Sequence, residues 1–224
     1  MRQYNDNIIN TPTSVTPSAK RSQEGFSLVE LIVSMVITLV MLGAVVGTFT
    51  SALSIRSYET NKTDALASTK AALNVMSREI GNSGFGLKRG IFASNGLVQG
   101  DCNATRLHFR ANTNNLNSVT TDAGEDVTFY YDATTQSIVR YDPNASSTKS
   151  AIIDQVSNVQ FTYFDYAKTG AATQVATPSD STARVRIKLT VLLVADPTDV
   201  TNKRNVTVES DITLRNAPYS IGQY

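Results

Sequence analysis

No pair of cysteines is available to cross-link this chain, because Cys102 stands alone. An intrachain disulfide is excluded, and the core must hold by packing. Histidine is equally scarce. His108 is the single one, which removes most metal centres and acid–base pairs, since these draw on several histidines or a Cys/His cluster. An excess of charge of one sign is missing too: 20 lysines and arginines face 19 acids, so no overall field recruits nucleic acid or anionic lipid. Tryptophan is absent. At 224 residues there is room for one ordinary domain and a further segment, not for a large multidomain enzyme.

What the chain does have is apolar length. Residues 31–55 carry no charge. Such a run exceeds the roughly 18 apolar residues that mark a spanning helix, and at about 1.5 Å per residue it clears a hydrocarbon core of about 30 Å. It reads as a transmembrane segment with one acid, Glu30, near its start. Residues 1–25 are rich in Asn, Thr, Ser and Pro, lack apolar periodicity and are expected to form no structure of their own. Lys20 and Arg21 lie on the side that the positive-inside rule keeps cytoplasmic. An ordinary secretory signal places its apolar region before the cut and discards it; here that region follows Gly25, and a cut there would keep the span.

Lys20, Arg21, Gly25, Phe26, Ser27, Leu28, Val29 and Glu30 together resemble the N-terminal signature of type IV pilins and type II secretion pseudopilins. The resemblance implies a prepilin peptidase that cuts between Gly25 and Phe26 and methylates the new amine of Phe26. It also implies that Glu30 pairs with the N-terminal amine of a neighbouring subunit once the helices pack in a filament. The partners so implied are other pilin or pseudopilin subunits, the prepilin peptidase, an inner-membrane assembly platform, and membrane lipid before assembly. Localisation follows: a single pass through a bacterial inner membrane with the N-terminus cytoplasmic, then a pilus or pseudopilus. Within the span, Ser34 with Thr38 and Gly43 with Gly47 are small residues four apart, a spacing that lets helices approach closely in lipid. Many major pilins carry a helix-kinking proline where this chain has Gly47.

Charged residues return after Ile55, yet Leu66, Thr69, Leu73, Met76 and Ile80 keep a three–four spacing, so the helix should run on as an amphipathic half with a stripe for a globular domain. Gly81 and the run Ser83-Gly84-Phe85-Gly86 should end it. Arg78, Ile80, Gly84, Phe85 and Gly86 add a second resemblance, to minor pilins of the PilW type. Strands are expected at 106–110, 127–131, 138–141, 156–166, 184–193 and 206–215, separated by turn-rich stretches. The last two should form a hairpin with Leu189 opposite Ser210, Ile187 opposite Ile212, Val191 opposite Val208 and Leu193 opposite Val206. On its other face Lys188 would meet Asp211, with Arg186 diagonal to it. The row Arg184, Arg186 and Lys188 is then neutralised in part, and nucleic acid is disfavoured.

The fold class expected is α+β and pilin-like: a cleaved leader over 1–25, a transmembrane half-helix over 26–55, an amphipathic half over 56–82 and a β-rich head over 83–224. The function expected is a structural or priming subunit, a minor pilin of a type IV pilus. A pseudopilin of a secretion or DNA-uptake system is the near alternative, and a single-span membrane protein with a ligand-binding or sensing β-domain the distant one. No catalytic arrangement, cofactor or metal site is read. The acids Asp122, Glu125 and Asp126, and Asp196 with Asp199, match no ordered calcium loop. His108 is expected as a half-exposed strand residue, and Cys102 as buried.

Overall fold

The computed structural model describes residues 25–88, 93–114, 119–167, 171–193 and 204–218. Residues 1–24 of the expected leader, including Lys20 and Arg21, and residues 194–203 of the loop expected to join the last two strands lie outside them. The chain divides into two compact units, Met1–Ser51 and Ala52–Tyr224. Helix α1, Leu28–Gly81, supplies residues to both. In the first unit every described residue is exposed. In the second, α1 turns one side inward: Thr69, Ala72, Leu73, Met76, Ile80 and Gly81 are buried, with Ala65 packed beside them. Leu66, expected on this stripe, is only half-buried.

Among the described residues eight strands follow: β1 Arg106–Arg110, β2 Asp126–Asp132, β3 Ser137–Tyr141, β4 Lys149–Ile153, β5 Val156–Asp165, β6 Thr173–Val175, β7 Thr182–Leu193 and β8 Arg204–Thr213. They form two antiparallel four-stranded sheets, β1-β2-β3-β4 and β6-β5-β7-β8. With α1 this is an α+β, pilin-like architecture. Both sheets and the α1 stripe contribute to one core, in which Leu107, Phe109, Phe129, Phe161, Tyr163, Ile187 and Leu189 are almost fully enclosed. Alternation explains the burial. In β7 the inward set Val185, Ile187, Leu189, Val191 and Leu193 is buried, while Arg184, Arg186, Lys188 and Thr190 are not. Tyr163 Oη donates to the carbonyls of Asn103 and Arg106, each at 3.1 Å, so the ring fills the core and its polar tip is satisfied.

The β7–β8 hairpin corrects the expected register. Leu189 faces Val208, Ile187 faces Ser210, Val185 faces Ile212 and Val191 faces Val206, a shift of two residues. An even shift leaves the apolar set inside, so alternation cannot choose between the two registers. Charge does distinguish them. The observed pairing sets Arg186 directly opposite Asp211, with bonds of 2.6 and 2.9 Å, and Lys188 opposite Glu209 at 3.2 Å. The expected one set Lys188 opposite Asp211 and left Arg186 on the diagonal. A second correction concerns burial: β8 is an edge strand, and Val206, Val208 and Ser210 are half-buried rather than enclosed.

Where α1 ends, two glycines lock the exit. Gly84 (φ +81°) and Gly96 (φ +74°) lie face to face, Gly84 N–H donating to Arg110 O at 2.9 Å and Arg110 N–H to Gly96 O at 2.8 Å. A Cβ on Gly96 would fall 2.1 Å from Gly84 N and 2.5 Å from Arg110 O. Buried Asn95 completes the joint, its amide donating to Ser179 O and Thr182 O while its side-chain carbonyl accepts Leu97 N–H. Arg140 of β3 bonds Glu79 of α1 at 2.9 Å and Asp142 at 3.1 Å, tying the helix to the first sheet.

The outer face of β1 is a charged clamp. His108 Nδ1 is 2.9 Å from Asp101 and its Nε2 contacts Asp126, while Arg106 and Arg110 bond the same two carboxylates. Burial raises the Asp126 carboxyl, but the bonds and charges of His108 and Arg110 outweigh it and hold Asp126 below its ordinary value of 3.8.

Two outcomes follow from this packing. Gly96→Ala should destabilise the head by about 1–3 kcal/mol from the left-handed backbone alone, and by more from the clash, whereas Gly100→Ala, with open space around it, should stay within about 0.5 kcal/mol; denaturant unfolding of the two variants measures the contrast. Because the folded Asp126 value is depressed, its stabilisation is present above about 3.8 and lost as pH falls through the folded value. Asp126→Asn should therefore lower stability at neutral pH and make the acid limb of the stability–pH curve shallower.

Candidate assembly helix

The sequence-expected site residues Gly25, Phe26, Glu30, Ser34, Thr38, Gly43 and Gly47 all lie at or just before the start of α1 or along its first unit. Ser27 precedes the first helical residue, a position its residue type favours, and its carbonyl accepts Leu31 N–H at 3.1 Å. Glu30 falls in the first turn, where the unpaired backbone N–H groups and the helix dipole favour a negative charge. This gives the acid a local stabilisation that its place in the apolar run did not reveal. Every ion pair among the described residues joins side chains of the second unit, so Glu30 has no basic partner there.

All side chains from residue 25 to residue 57 are exposed, Phe26 at 82% and Leu28 at 74%. A surface so apolar is stable only in lipid or against other helices. α1 is long and apolar enough to cross a membrane. The hydroxyls in it are already satisfied: Ser34 donates to Leu31 O at 2.9 Å, Thr38 to Ser34 O at 2.7 Å, and Thr50 and Ser51 both to Gly47 O at 3.0 Å. Contact at Ser34 and Thr38 therefore depends on small size rather than on a free hydroxyl. Nothing lies within 4 Å of a Cβ added at Gly43 or Gly47, leaving two open notches on the helix surface. The structure places these residues in sequence order just before and along one helix and, among the described residues, brings no distant one to them.

Among the described residues no three His, Cys, Asp or Glu side chains gather as a metal-binding group. Asp122, Glu125 and Asp126 turn apart: Asp122 accepts from Asn114 Nδ2, buried Glu125 accepts the N–H of Asp122 and Asn114, and Asp126 joins the His108 clamp. Asp196 and Asp199 lie outside the described residues. Cys102 is buried, its sulfur sharing 3.3 Å contacts with the backbone N–H and carbonyl of His108, and burial pushes the thiol above its ordinary range. The His108 ring is more enclosed than its strand position suggested, at 12% exposure. The signal was in the sequence only as acids at Asp101 and Asp126; which of them a strand residue meets is decided by pairing. The basic row is engaged: Arg186 and Arg184 reach Asp211, Lys188 reaches Glu209, and Arg184 stacks 4.1 Å over Phe164. A cavity of about 430 Å³ opens between Asn61, Asp64 and Ser68 of α1, the Asp154-Gln155 turn and Leu193; among the described residues its lining sets no histidine, cysteine or lysine beside the two carboxylates and the Ser68 hydroxyl.

Comparison with known proteins isolates the same stretch. Residues 20–46 match the prokaryotic N-terminal methylation motif. No curated protein and no solved structure matches the chain. The motif, continued by an apolar helix suited to membrane anchoring and followed by an α+β head, supports a type IV pilin-like or pseudopilin chain, a structural subunit and prepilin peptidase substrate that interacts with other pilins.

Proposed function

We propose that this chain is a minor pilin, a structural and priming subunit of a type IV pilus, most like the PilW type. The observation that carries the reading is the methylation motif over residues 20–46 coinciding with a wholly exposed apolar helix whose first turn holds Glu30. In this reading the leader, residues 1–25, is removed between Gly25 and Phe26. The span over 26–55 waits in the inner membrane with its N-terminus cytoplasmic, and an assembly platform passes it into the filament. The amphipathic half over 56–82 and the head over 83–224 stay outside the bilayer.

Glu30 then has two physical roles. At the membrane edge its charge costs less than the roughly 2.5–3.5 kcal/mol expected at the bilayer centre, and the helix N-terminus offsets part of that. In a packed bundle it meets the methylated amine of Phe26 on a neighbour, and the pair neutralises two charges as water and lipid headgroups are left behind. Registry and extraction are thereby linked. Ser34, Thr38, Gly43 and Gly47 allow the neighbouring helix close approach. The same motif also serves a pseudopilin of a secretion or DNA-uptake system, and the genes around this one distinguish the two settings.

Mass spectrometry of the membrane-extracted protein tests the processing step: the expected mature chain begins at methylated Phe26, and an intact Met1 overturns the reading. Glu30→Ala should leave cleavage unchanged but reduce recovery in sheared filaments about tenfold or more, since removing one partner of a buried ion pair costs about 3–5 kcal/mol. Normal incorporation of that variant would sink the Glu30–amine pairing.

A further inference from the structure

β8 is a long strand with an open edge. Leu214 N–H donates to Ala183 O at 2.8 Å, and bonding direction alternates along an antiparallel strand, so even-numbered residues of β8 turn their backbone groups to β7. Asn205, Thr207, Glu209, Asp211 and Thr213 turn theirs outward. Among the described residues nothing pairs with them until Arg215, whose N–H reaches Gly81 O at the helix end. The other edges are guarded. β1 is covered through Val98 N–H to His108 O and Arg110 N–H to Gly96 O, β6 has three residues, and β4 is five residues long and carries an exposed lysine, Lys149. β8 runs ten residues with unbroken register and no proline, and its inward positions from Val206 to Ile212 are Val206, Val208, Ser210 and Ile212, so this stretch lacks the bulge, proline and inward charge that normally protect an edge. Its acids are no defence either, since Glu209 and Asp211 are already met by Lys188 and Arg186.

We propose that the β8 edge docks β8 of a second copy of this chain, antiparallel and two-fold about Val208. The strand is self-complementary in that register. Pairs that keep both apolar faces on one side have an odd or even residue opposite its own kind. Centring on Glu209 sets that acid against itself, and centring on Ser210 sets Glu209 against Asp211. Centring on Thr207 requires residues beyond the start of β8 to reach Asp211. Centring on Val208 uses residues 204–212, places Thr207 opposite Glu209 and Asn205 opposite Asp211, and joins no like charges. These are the residues whose backbone groups point outward, so each pair exchanges both of its N–H···O bonds. On the inner face Val208 meets Val208 and Val206 meets Ser210, which covers side chains now half-buried. The two sheets become one. The inference does not rest on the pilin reading, because β8 belongs to the second unit and the contact uses no part of the span.

The two-fold position gives a register-specific test. Val208 lies at a non-hydrogen-bonded pair, where Cα atoms approach to about 4.5 Å, within disulfide reach. The full chain in detergent micelles, substituted Val208→Cys and treated with a mild oxidant, should run as a covalent dimer. Val206→Cys should stay monomeric, as should the unsubstituted chain, whose Cys102 is buried. Adding Thr207→Glu to Val208→Cys sets like charges opposite each other twice and should abolish the cross-link; the site is exposed, and circular dichroism checks that the fold persists. Equilibrium sedimentation of the otherwise unsubstituted chain with and without Thr207→Glu gives the same comparison without cysteine. Absence of a Val208→Cys dimer, equal cross-linking at Val206, or a dimer insensitive to Thr207→Glu, as association through the apolar helix would give, overturns the proposal.

Discussion

One constraint organises the molecule: α1 carries two kinds of surface on one hydrogen-bonded rod. Through residue 57 it is exposed on every side and almost wholly apolar, so something outside the chain must cover it. From Ala65 to Gly81 it is one-sided, and this chain covers it with its own sheets. A helix is the only single element that satisfies both demands, because its backbone groups are bonded internally whatever surrounds it. The hydroxyls of Ser34, Thr38, Thr50 and Ser51 extend the same logic to side chains, each returning its proton to a carbonyl one turn back.

The head depends on that one-sided stretch. Leu73, Met76 and Ile80 are buried in a core shared with both sheets, and each such side chain contributes roughly 1.5–3 kcal/mol on removal from water. Packing of this kind has no direction, so orientation comes from polar contacts around it. Arg140 joins Glu79 of the helix to Asp142, a carboxylate that is almost fully enclosed and also accepts the backbone N–H of Gly124 and Asn144. Burial would lower the Arg140 value, but the Glu79 and Asp142 charges outweigh it, and the guanidinium is held more firmly charged than usual. The Gly84–Gly96 contact fixes where the chain goes after the helix. With no disulfide available, these are the features that make the exit from α1 specific.

Much of this was legible beforehand. The span, the stripe and the glycine stop were written in residue spacing, and six strands could be placed as β-branched or aromatic runs between turn-rich stretches, β1 and β7 alternating apolar with polar residues and β2 and β3 not. β4 and β6 were not. Lys149-Ser150-Ala151 is polar or small and exposed, and Thr173-Gln174-Val175 is too short to show a period. The division into two sheets was equally hidden, since alternation gives a strand its faces and says nothing of its neighbours. Gly96 looked like any loop glycine until the fold brought Gly84 and the Arg110 carbonyl against it.

The methylation motif, the uncharged run behind it and the return of charge beyond Ile55 are local properties, set by residue identity and spacing alone. A helix in lipid and a helix half in water differ in composition, which can be read one residue at a time. Tertiary structure alone decided the hairpin register, the clamp of Asp101 and Asp126 on His108, and the open edge of β8. These depend on which backbone lies beside which. A strand pattern with a period of two is unchanged by a slip of two residues, so only the contacts across the strands could settle the register.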